Sequence, residues 1–230
     1  MKTSVSCIIP AYNEETTIAH VVRAALDTTQ IHEVIVVNDG STDQTAQALL
    51  KLQCDTLTVV SLNKNMGKAT AVTQALKHAH NDIILLLDAD LVGLKPHHIV
   101  KLLEPVLKNP HTVSFAFLGN APGIARLLGI NVVSGQRAFP RHFARVLEKQ
   151  NTRGYLLEIA LNTEFLRQNT AIYSVRWKDV RHRKKMEKRG LWNGWWSDSI
   201  MTWNILFALG PIGIVQQFGG IWQRKQTLSP

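Results

Sequence analysis

The sequence predicts an α/β fold in which helices cover both faces of an open, mostly parallel sheet. Short apolar segments rich in β-branched residues alternate with longer amphipathic segments over residues 1–111. The apolar segments are mostly continuous rather than alternating, which is typical of strands buried on both faces. Parallel strands also need long crossover connections, and the amphipathic segments are long enough to supply them.

Turn residues and prolines mark where the predicted elements end. The first strand stops at Pro10, and the second is closed by the polar residues 38–43, which are suited to capping the next helix. The predicted strands are Val5–Pro10, Val34–Val37, Leu57–Leu62, Ile83–Leu87 and, later in the chain, Ile172–Val175. The predicted helices are Glu14–Leu26, Gln44–Leu52, Lys68–His80 and Lys95–Lys108.

Composition bounds the class of protein. The chain has 230 residues, of which 45% are hydrophobic, which suits one large domain and excludes a disordered or fibrous protein. Two cysteines, Cys7 and Cys54, exclude a disulfide framework and a four-thiolate zinc site, and they favour a reducing compartment. Residues 1–15 lack the long apolar run of a secretory signal, so we expect the chain to begin in the cytosol.

Acidic residues follow three of the predicted strands. Glu14 comes shortly after the first strand, Asp39 follows the second, and Asp88 and Asp90 follow the fourth. Because the carboxyl ends of parallel strands meet at one edge of a sheet, these carboxylates repel one another unless a cation or an amine-bearing ligand lies among them. Two carboxylates spaced like Asp88 and Asp90, directly after a buried strand, are typical ligands of Mg²⁺ or Mn²⁺.

Four motifs stand in order in the first part of the chain. They are residues 9–15 (IPAYNEE), 36–43 (VVNDGSTD), 65–69 (NMGKA) and 87–90 (LDAD). Their order and spacing resemble the GT-A glycosyltransferases of family 2, in which the first two motifs hold the nucleoside and Asp-x-Asp coordinates a metal on the diphosphate. The resemblance implies a GT-A fold, a nucleotide-sugar donor and Mg²⁺ or Mn²⁺ as cofactor. It assigns donor binding to Pro10, Ala11, Tyr12, Glu14, Asp39 and Asp88, and metal binding to Asp88 and Asp90.

These assigned roles also have physical reasons. Glu14 and Asp39 offer acceptors for base N–H groups and ribose hydroxyls, and Tyr12 offers an aromatic surface to the base. Lys68 follows Gly67 at the start of a predicted helix, where its charge and the free backbone N–H groups suit phosphates. Lys68 is therefore predicted to bind the diphosphate of the donor.

The second half of the chain is predicted to bind the acceptor. Residues 134–141 (SGQRAFPR) resemble the acceptor-side motif of the same family. Arg137 is predicted to clamp an acceptor phosphate, with a solvated arginine at a helix start as the alternative. Residues 154–159 (GYLLEI) look like the corresponding segment of glucosyl-3-phosphoglycerate synthases and polyprenyl-phosphate sugar synthases. Glu158, which lies among apolar residues, is predicted to contact the sugar or acceptor, or to act as a base.

His182 is the candidate third metal ligand. A histidine downstream of the sheet completes the metal site in some GT-A relatives. Many polyprenyl-phosphate mannose synthases have a metal-binding Gln after Asp-x-Asp, whereas this chain has Val92. This departure weakens a close match to those synthases and favours His182 as a ligand. The alternative is a solvated histidine within the basic run at residues 181–189.

The net charge of +9 is concentrated in one segment. Residues 137–189 contain 14 Lys and Arg against 5 Asp and Glu, whereas residues 1–136 contain 10 against 11. All six tryptophans follow residue 176, and residues 200–222 carry no charged side chain. A basic run before an aromatic, uncharged tail favours an anionic membrane surface over nucleic acid. Glycines and a proline interrupt the tail, which favours an interfacial tail over a spanning helix; a tail packed on the core is a further alternative.

Together these observations predict one GT-A domain over residues 1–198, with a nucleotide-sugar half at 1–111, an acceptor half at 112–198 and a membrane-associating tail at 199–230. The predicted reaction is metal-dependent transfer of a sugar to an acceptor, and the favoured acceptor is a lipid-linked polyprenyl phosphate. The predicted catalytic residues are Asp90, Arg137 and Glu158. The protein is then expected to lie peripherally on the cytosolic face of a membrane. A soluble phosphorylated acceptor is the alternative; a non-catalytic membrane-surface or nucleic-acid-binding protein is the alternative from another class. The sugar, the base and the formation of a homo-oligomer are left open.

Overall fold

The structure of the protein is a computed structural model that describes residues 4–52, 54–119, 134–149, 156–183, 216–217 and 219–227. The strands, in chain order, are β1 (Val5–Ala11), β2 (Glu33–Asn38), β3 (Leu57–Ser61), β4 (Ile83–Leu86), β5 (Leu91–Val92), β6 (Thr112–Leu118), β7 (Arg137–Pro140), β8 (Ala171–Trp177), β9 (Arg181–His182) and β10 (Lys225–Thr227). The helices are α1 (Ile18–Leu26), α2 (Thr45–Leu50), α3 (Lys68–Leu76), α4 (Pro96–Lys108), α5 (Arg145–Lys149) and α6 (Leu156–Arg167).

Eight of these strands form one sheet, in the order β10-β8-β6-β7-β4-β1-β2-β3, while β5 and β9 form a separate two-stranded sheet. β7 runs antiparallel to both of its neighbours, β4 and β6. The other pairs in the large sheet are parallel. The predicted mostly parallel α/β sheet is confirmed.

Two apolar clusters cover the opposite faces of the sheet. Alternate residues of β1 serve different clusters, with Cys7 and Ile9 in one and Ile8 in the other. This follows from the two-residue period of a strand. The first cluster includes residues of α1 and α4, and the second includes residues of α3 and α6. Helices therefore cover both faces, as the continuous apolar strands predict.

The first helix begins later than predicted. The Glu14 carbonyl accepts N–H groups from Thr17 at 3.1 Å and from Ile18 at 2.9 Å. Residues 14–17 thus form a turn, and α1 begins at Ile18. This turn keeps Glu14 at the end of β1, where the acidic edge of the sheet lies.

The described part of the tail packs against α6. Gln217 Nε2 donates to the Ile159 carbonyl at 3.2 Å and to Thr163 Oγ1 at 2.9 Å, and Ile221 is fully buried. Trp222 is 59% exposed. The interfacial tail predicted for residues 199–230 falls mostly outside the described residues, as does most of the basic run.

Trp177, the first of the six tryptophans, lies in the interior. Its side chain is fully buried in β8, with its ring 5.7 Å from that of His98. The reason is that Trp177 lies on the sheet face that packs into the first apolar cluster, together with residues of α4. None of the described helices is long and apolar enough to cross a membrane.

Candidate active site

The carboxyl edge of the parallel strands carries the predicted acidic residues. β1 pairs in parallel with both β2 and β4, so the segments that follow these strands emerge at the same edge. Glu14 and Asp39, which follow β1 and β2, are 8% and 3% exposed. Asp88 and Asp90 follow β4 and are partly exposed. The four carboxylates therefore lie along one edge, as the sequence predicts.

Asp88, Asp90 and His182 form a group that can hold a divalent metal. One ligand atom from each residue lies within 4.8 Å of the others. His182 Nδ1 lies 2.8 Å from Asp90 Oδ1, and His182 Nε2 lies 4.0 Å from Asp88 Oδ2. Two carboxylates and one imidazole suit Mn²⁺ and are compatible with Mg²⁺. The structure thus brings together the three residues that the sequence analysis singled out for the metal.

The environment of His182 favours the protonated imidazole. Burial alone would lower its pKa, but the hydrogen bond with Asp90 and the charges of Asp88 and Asp90 outweigh burial, so the pKa is raised. Because a metal binds the neutral imidazole, metal binding here releases a proton.

The small two-stranded sheet delivers His182 to the carboxylates. β5 directly follows Asp90, and β9, which contains His182, pairs with it in antiparallel register. The Arg183 N–H donates to the Asp90 carbonyl at 2.9 Å, which ties the two segments together. Gly93 permits the close approach of the segments that carry β5 and β9, because its φ is +84° and a Cβ there would lie 2.5 Å from the Asp179 carbonyl oxygen.

Lys68 bridges Asp88 and Glu158. Its Nζ lies 2.7 Å from Asp88 Oδ1 and 2.9 Å from Glu158 Oε1. Burial lowers the pKa of the ammonium, but the two carboxylates raise it by more, so Lys68 stays charged. Lys68 is therefore an amine among the strand-end acids. Its contact with a donor diphosphate stays a prediction.

Glu158 is buried in the first turn of α6. Its Oε1 accepts from Lys68, whereas Oε2 is buried and has no hydrogen-bond partner among the described residues. An unpartnered buried acceptor typically costs about 1–3 kcal/mol. A hydroxyl or water donor is therefore expected at Oε2, and this position suits the predicted contact with a sugar or acceptor.

Arg137 lies in the interior of the sheet, at the start of β7. It is fully buried; Nε donates to the Ser134 carbonyl at 2.9 Å and Nη1 to Asn162 Oδ1 at 3.2 Å. Burial lowers its pKa to about 10 against the opposing effect of two nearby carboxylates, so it stays charged at neutral pH. The alternative of a solvated arginine is wrong, because β7 is a central strand. An acceptor could reach Arg137 only if neighbouring residues moved, because the side chain is fully buried, so a direct clamp stays a prediction that this geometry does not support.

The donor-side carboxylates hold the segment before α3 and the turn after β1. Both oxygens of Asp39 accept backbone N–H groups at 2.8 Å, one from Met66 and one from Gly67. Glu14 Oε2 accepts the Thr17 hydroxyl at 3.2 Å. Each oxygen of Asp39 has a second lone pair that can accept a hydrogen bond from a ligand. The other predicted donor-side residues, Pro10, Ala11 and Tyr12, lie at the end of β1, and their donor contacts stay predictions.

Two further side chains reach the site without having been predicted. Gln136 Nε2 donates to Asp88 Oδ2 at 2.5 Å. Arg183 Nη2 lies 3.9 Å from Glu14 Oε2. Gln136 precedes the predicted residue Arg137 and Arg183 follows the predicted residue His182, and this adjacency is the sequence feature that could have indicated them.

Sequence relatives of this chain are bacterial undecaprenyl-phosphate 4-deoxy-4-formamido-L-arabinose transferases. The protein of that name from Pseudomonas aeruginosa (strain LESB58) is 34% identical over 107 residues, which are 44% of this chain and 31% of that protein. The one from Photorhabdus laumondii subsp. laumondii is 25% identical over 204 residues, which are 79% of this chain and 60% of that protein. The matched region thus spans 31% to 60% of these curated relatives.

Solved structures of glucosyl-3-phosphoglycerate synthase from Mycobacterium tuberculosis have a similar fold. The complex with Mn²⁺, UDP-glucose and glycerol 3-phosphate has a TM-score of 0.66 and 26% identity, covering 79% of this chain and 73% of that chain. The complex with Mg²⁺ and UDP has the same TM-score of 0.66 and identity of 26%, covering 79% and 72%. Residues 6–154 match the sequence profile of Glycosyl transferase family 2, so the chain belongs to that family.

Proposed function

We propose that the protein transfers a sugar from a nucleotide-diphosphate sugar to the phosphate of a lipid, in a reaction that depends on Mg²⁺ or Mn²⁺. The observation that carries the proposal is the grouping of Asp88, Asp90 and His182 at the carboxyl edge of the sheet. The same edge carries Asp39 and Glu14, which suit a nucleoside. Membership of Glycosyl transferase family 2 supports sugar transfer as the reaction class.

The metal dependence rests on the donor set. Two carboxylates and one imidazole are hard and borderline ligands that fit Mg²⁺ and Mn²⁺. The similar synthase structures contain Mn²⁺ with UDP-glucose or Mg²⁺ with UDP, which supports the same choice of ion here. When bound, the ion would offset the negative charge that builds on the diphosphate as the glycosidic bond breaks.

Side chains around the metal group have separate tasks in this proposal. Lys68 adds a positive charge next to Asp88, in the first turn of α3, where free backbone N–H groups also favour phosphate. Asp39 and Glu14 accept hydrogen bonds from the nucleoside. His182 and Asp90 hold each other in place through their 2.8 Å contact.

A lipid phosphate is the acceptor that the sequence relatives favour, since they are named as undecaprenyl-phosphate transferases. A phosphate is already ionised at neutral pH, so its attack on the sugar needs no general base. Glu158 then holds Lys68 and a ligand hydroxyl. The basic segment at 137–189 would attract the chain to an anionic cytosolic membrane surface, where such an acceptor lies.

A soluble phosphorylated acceptor is the second candidate. The specific observation in its favour is the fold shared with a synthase that has been crystallised with glycerol 3-phosphate. An attacking hydroxyl has to lose a proton, and Glu158, with its unpartnered Oε2, is then the nearest candidate base. The two acceptors therefore assign different roles to Glu158.

Glu158→Gln distinguishes the acceptors. With a lipid phosphate, we expect turnover to fall by less than about 100-fold, the typical effect of losing a catalytic base. A larger loss would favour a hydroxyl acceptor. Glu164→Gln, in the same helix but paired with Arg167 at the surface, is the matched control and is expected to keep full turnover.

The direct test is an assay of radiolabelled nucleotide sugars with Mn²⁺ and either polyprenyl phosphate in anionic vesicles or glycerol 3-phosphate in solution. We expect label in the lipid fraction, and its loss when EDTA removes the metal. Label in the soluble product alone would replace the lipid acceptor with the soluble one. Failure of every nucleotide sugar both to bind and to react would contradict glycosyl transfer altogether.

A further inference from the structure

We propose that Gln136 is a positioning residue that holds the Asp88 carboxylate in the orientation needed to bind the metal. The inference rests on the metal site of the proposed function and adds a residue that neither the sequence motifs nor the comparisons assign. Gln136 is fully buried and precedes β7 directly. Its Nε2 donates to Asp88 Oδ2 at 2.5 Å.

The two oxygens of Asp88 are held by different partners. Oδ1 accepts from Lys68 at 2.7 Å, and Oδ2 accepts from Gln136. Oδ2 is also the oxygen that lies 4.0 Å from His182 Nε2. Gln136 therefore fixes the side of the carboxylate that faces the imidazole of the metal group.

The orientation of the Gln136 amide follows from its surroundings. An ionised carboxylate only accepts hydrogen bonds, so the amide must turn its NH₂ group toward Asp88. The amide oxygen is then left 3.2 Å from Ser134 Oγ, a hydroxyl whose single hydrogen is shared between this oxygen and the Ala116 carbonyl at 2.8 Å. Both ends of the amide thus meet groups of the right polarity in this orientation.

The backbone beside Gln136 is anchored to the sheet. The Ala116 N–H donates to the Gln136 carbonyl at 2.9 Å, and Arg137 Nε donates to the Ser134 carbonyl at 2.9 Å. Gly135 lies directly against the carboxylate, since a Cβ there would be 2.2 Å from Asp88 Oδ2. The position of the carboxylate is therefore set by the sheet through the segment 134–136.

This arrangement predicts that Gln136 affects metal affinity. Groups that orient metal ligands from the outside typically change metal affinity by about 10- to 100-fold when they are removed. Without the Nε2 donor, the bond from Lys68 is the one hydrogen bond left to the Asp88 carboxylate among the described residues, and the carboxylate can rotate away from His182. The fully buried position also predicts that the amide hydrogens exchange slowly with water.

The test is Gln136→Met, which keeps the length of the side chain and removes the donor. Mn²⁺ binding is measured by calorimetry without nucleotide, beside thermal unfolding followed by circular dichroism. We expect Mn²⁺ affinity about 10- to 100-fold lower, a matching rise in the KM for Mn²⁺, and a kcat at saturating Mn²⁺ within about threefold of the original. Unchanged Mn²⁺ affinity in the folded variant overturns the inference. Gln168→Met, which removes a surface amide bonded to Glu164, is the control and should leave Mn²⁺ affinity unchanged.

The unsubstituted chain provides a second measurement if Gln136→Met does not fold. In an ¹⁵N-labelled sample, the side-chain amide of Gln136 should exchange slowly with water and shift during a Mg²⁺ titration together with the His182 imidazole. Fast exchange, or an amide that stays still while His182 shifts, overturns the inference. The calorimetry and the Mg²⁺ titration both follow metal binding without any sugar substrate. They therefore decide the role of Gln136 even if no combination of sugar donor and acceptor gives transfer.

Discussion

The two ends of the acidic edge hold their carboxylates by different means. On the side proposed to bind the nucleoside, Asp39 is held by backbone N–H groups of Met66 and Gly67. On the metal side, Asp88 is held by two side chains, the ammonium of Lys68 and the amide of Gln136. Backbone donors are fixed by the fold, whereas side-chain donors can move when a ligand arrives.

The comparison teaches that acids at the same edge contribute to different properties of the molecule. Removing an acceptor from fixed backbone donors leaves those donors unpartnered, which lowers the stability of the fold. Removing the charge of Asp90 relieves its repulsion with Asp88, which offsets the weakened 2.8 Å contact with His182, so this change affects ligand binding far more than stability. Substitutions at each end of the edge can separate these two effects.

The largest effect is expected from Asp90→Asn, which removes a charged metal ligand. We expect the loss of detectable transfer and of metal-dependent nucleotide binding, with a melting temperature without ligand that is nearly unchanged or higher. Calorimetry with Mn²⁺ and UDP, beside thermal melts, checks both parts. Asp82→Asn, an exposed acid that precedes β4 at the opposite edge, is the control and should keep activity. Retained turnover in Asp90→Asn would falsify the metal assignment.

Gly135→Ala is expected to rank second, because its new Cβ would lie within 2.6 Å of three atoms of the Asp88 carboxylate. The carboxylate or the backbone must shift, and we expect Mn²⁺ affinity to fall by about 10- to 100-fold. Gly219→Ala is the matched control, since a Cβ there meets nothing within 4 Å. Equal Mn²⁺ affinities in the two variants would show that the close approach at Gly135 is unimportant for the metal.

Asp39→Asn tests the other end of the edge through stability. The amide can accept one backbone N–H, but it turns its own NH₂ group toward the second, which leaves that donor without an acceptor. We expect the free energy of unfolding to fall by about 1–3 kcal/mol, measured by urea denaturation without ligand. Asp55→Asn, in an exposed turn before β3, should leave stability unchanged. A stability loss in Asp90→Asn as large as that in Asp39→Asn would contradict the division between the two ends.

The smallest effect concerns a residue away from both ends. Burial lowers the pKa of His98 from 6.5 to about 4, helped by the charges of His97, Lys95 and Lys101 and opposed by Asp179. The unfolded chain therefore binds a proton more readily, so stability is fully present above about pH 6.5 and is lost as the pH falls toward 4.

We expect this loss to be on the order of 2 kcal/mol. His98→Gln should flatten the dependence of stability on pH over that range, in urea denaturation at pH 4.5 and 7. His78→Gln, on the exposed side of the turn after α3, should keep the original slope. If stability depends on pH as steeply in His98→Gln as in the original chain, the pH dependence comes from other groups.

The sequence was sufficient for the architecture of the first half and for the metal group. Strands buried on both faces require continuous apolar residues, so β1, β2 and β4 stood out from their surroundings. Asp88 and Asp90 are marked by their position after such a strand. No local pattern marks His182 as a ligand; it is indicated by the resemblance to GT-A enzymes, some of which have a downstream histidine in the metal site.

The sequence was less informative where long-range packing decides the environment. Arg137 lies within a basic segment that suggests exposure, yet it is fully buried because β7 is an inner strand. Trp177 lies in the same basic segment and is fully buried in the first apolar cluster. No motif or periodicity in the sequence marks Gln136 as a functional residue. Its role depends on a carboxylate 48 positions earlier in the chain, a pairing that periodicity cannot reveal.

The reversed direction of β7 has a consequence for the order in which the protein folds. Because β7 runs opposite to its neighbours, it starts at the edge where they end, and so the segment before it reaches the metal group. The contacts in and around this group, which join Asp88 to Gln136, Lys68 to Glu158 and Asp90 to His182, span 48, 90 and 92 positions in the chain. Contacts of such long range carry a large loop-closure entropy and tend to form late. A bound metal is then expected to slow unfolding far more than it speeds folding.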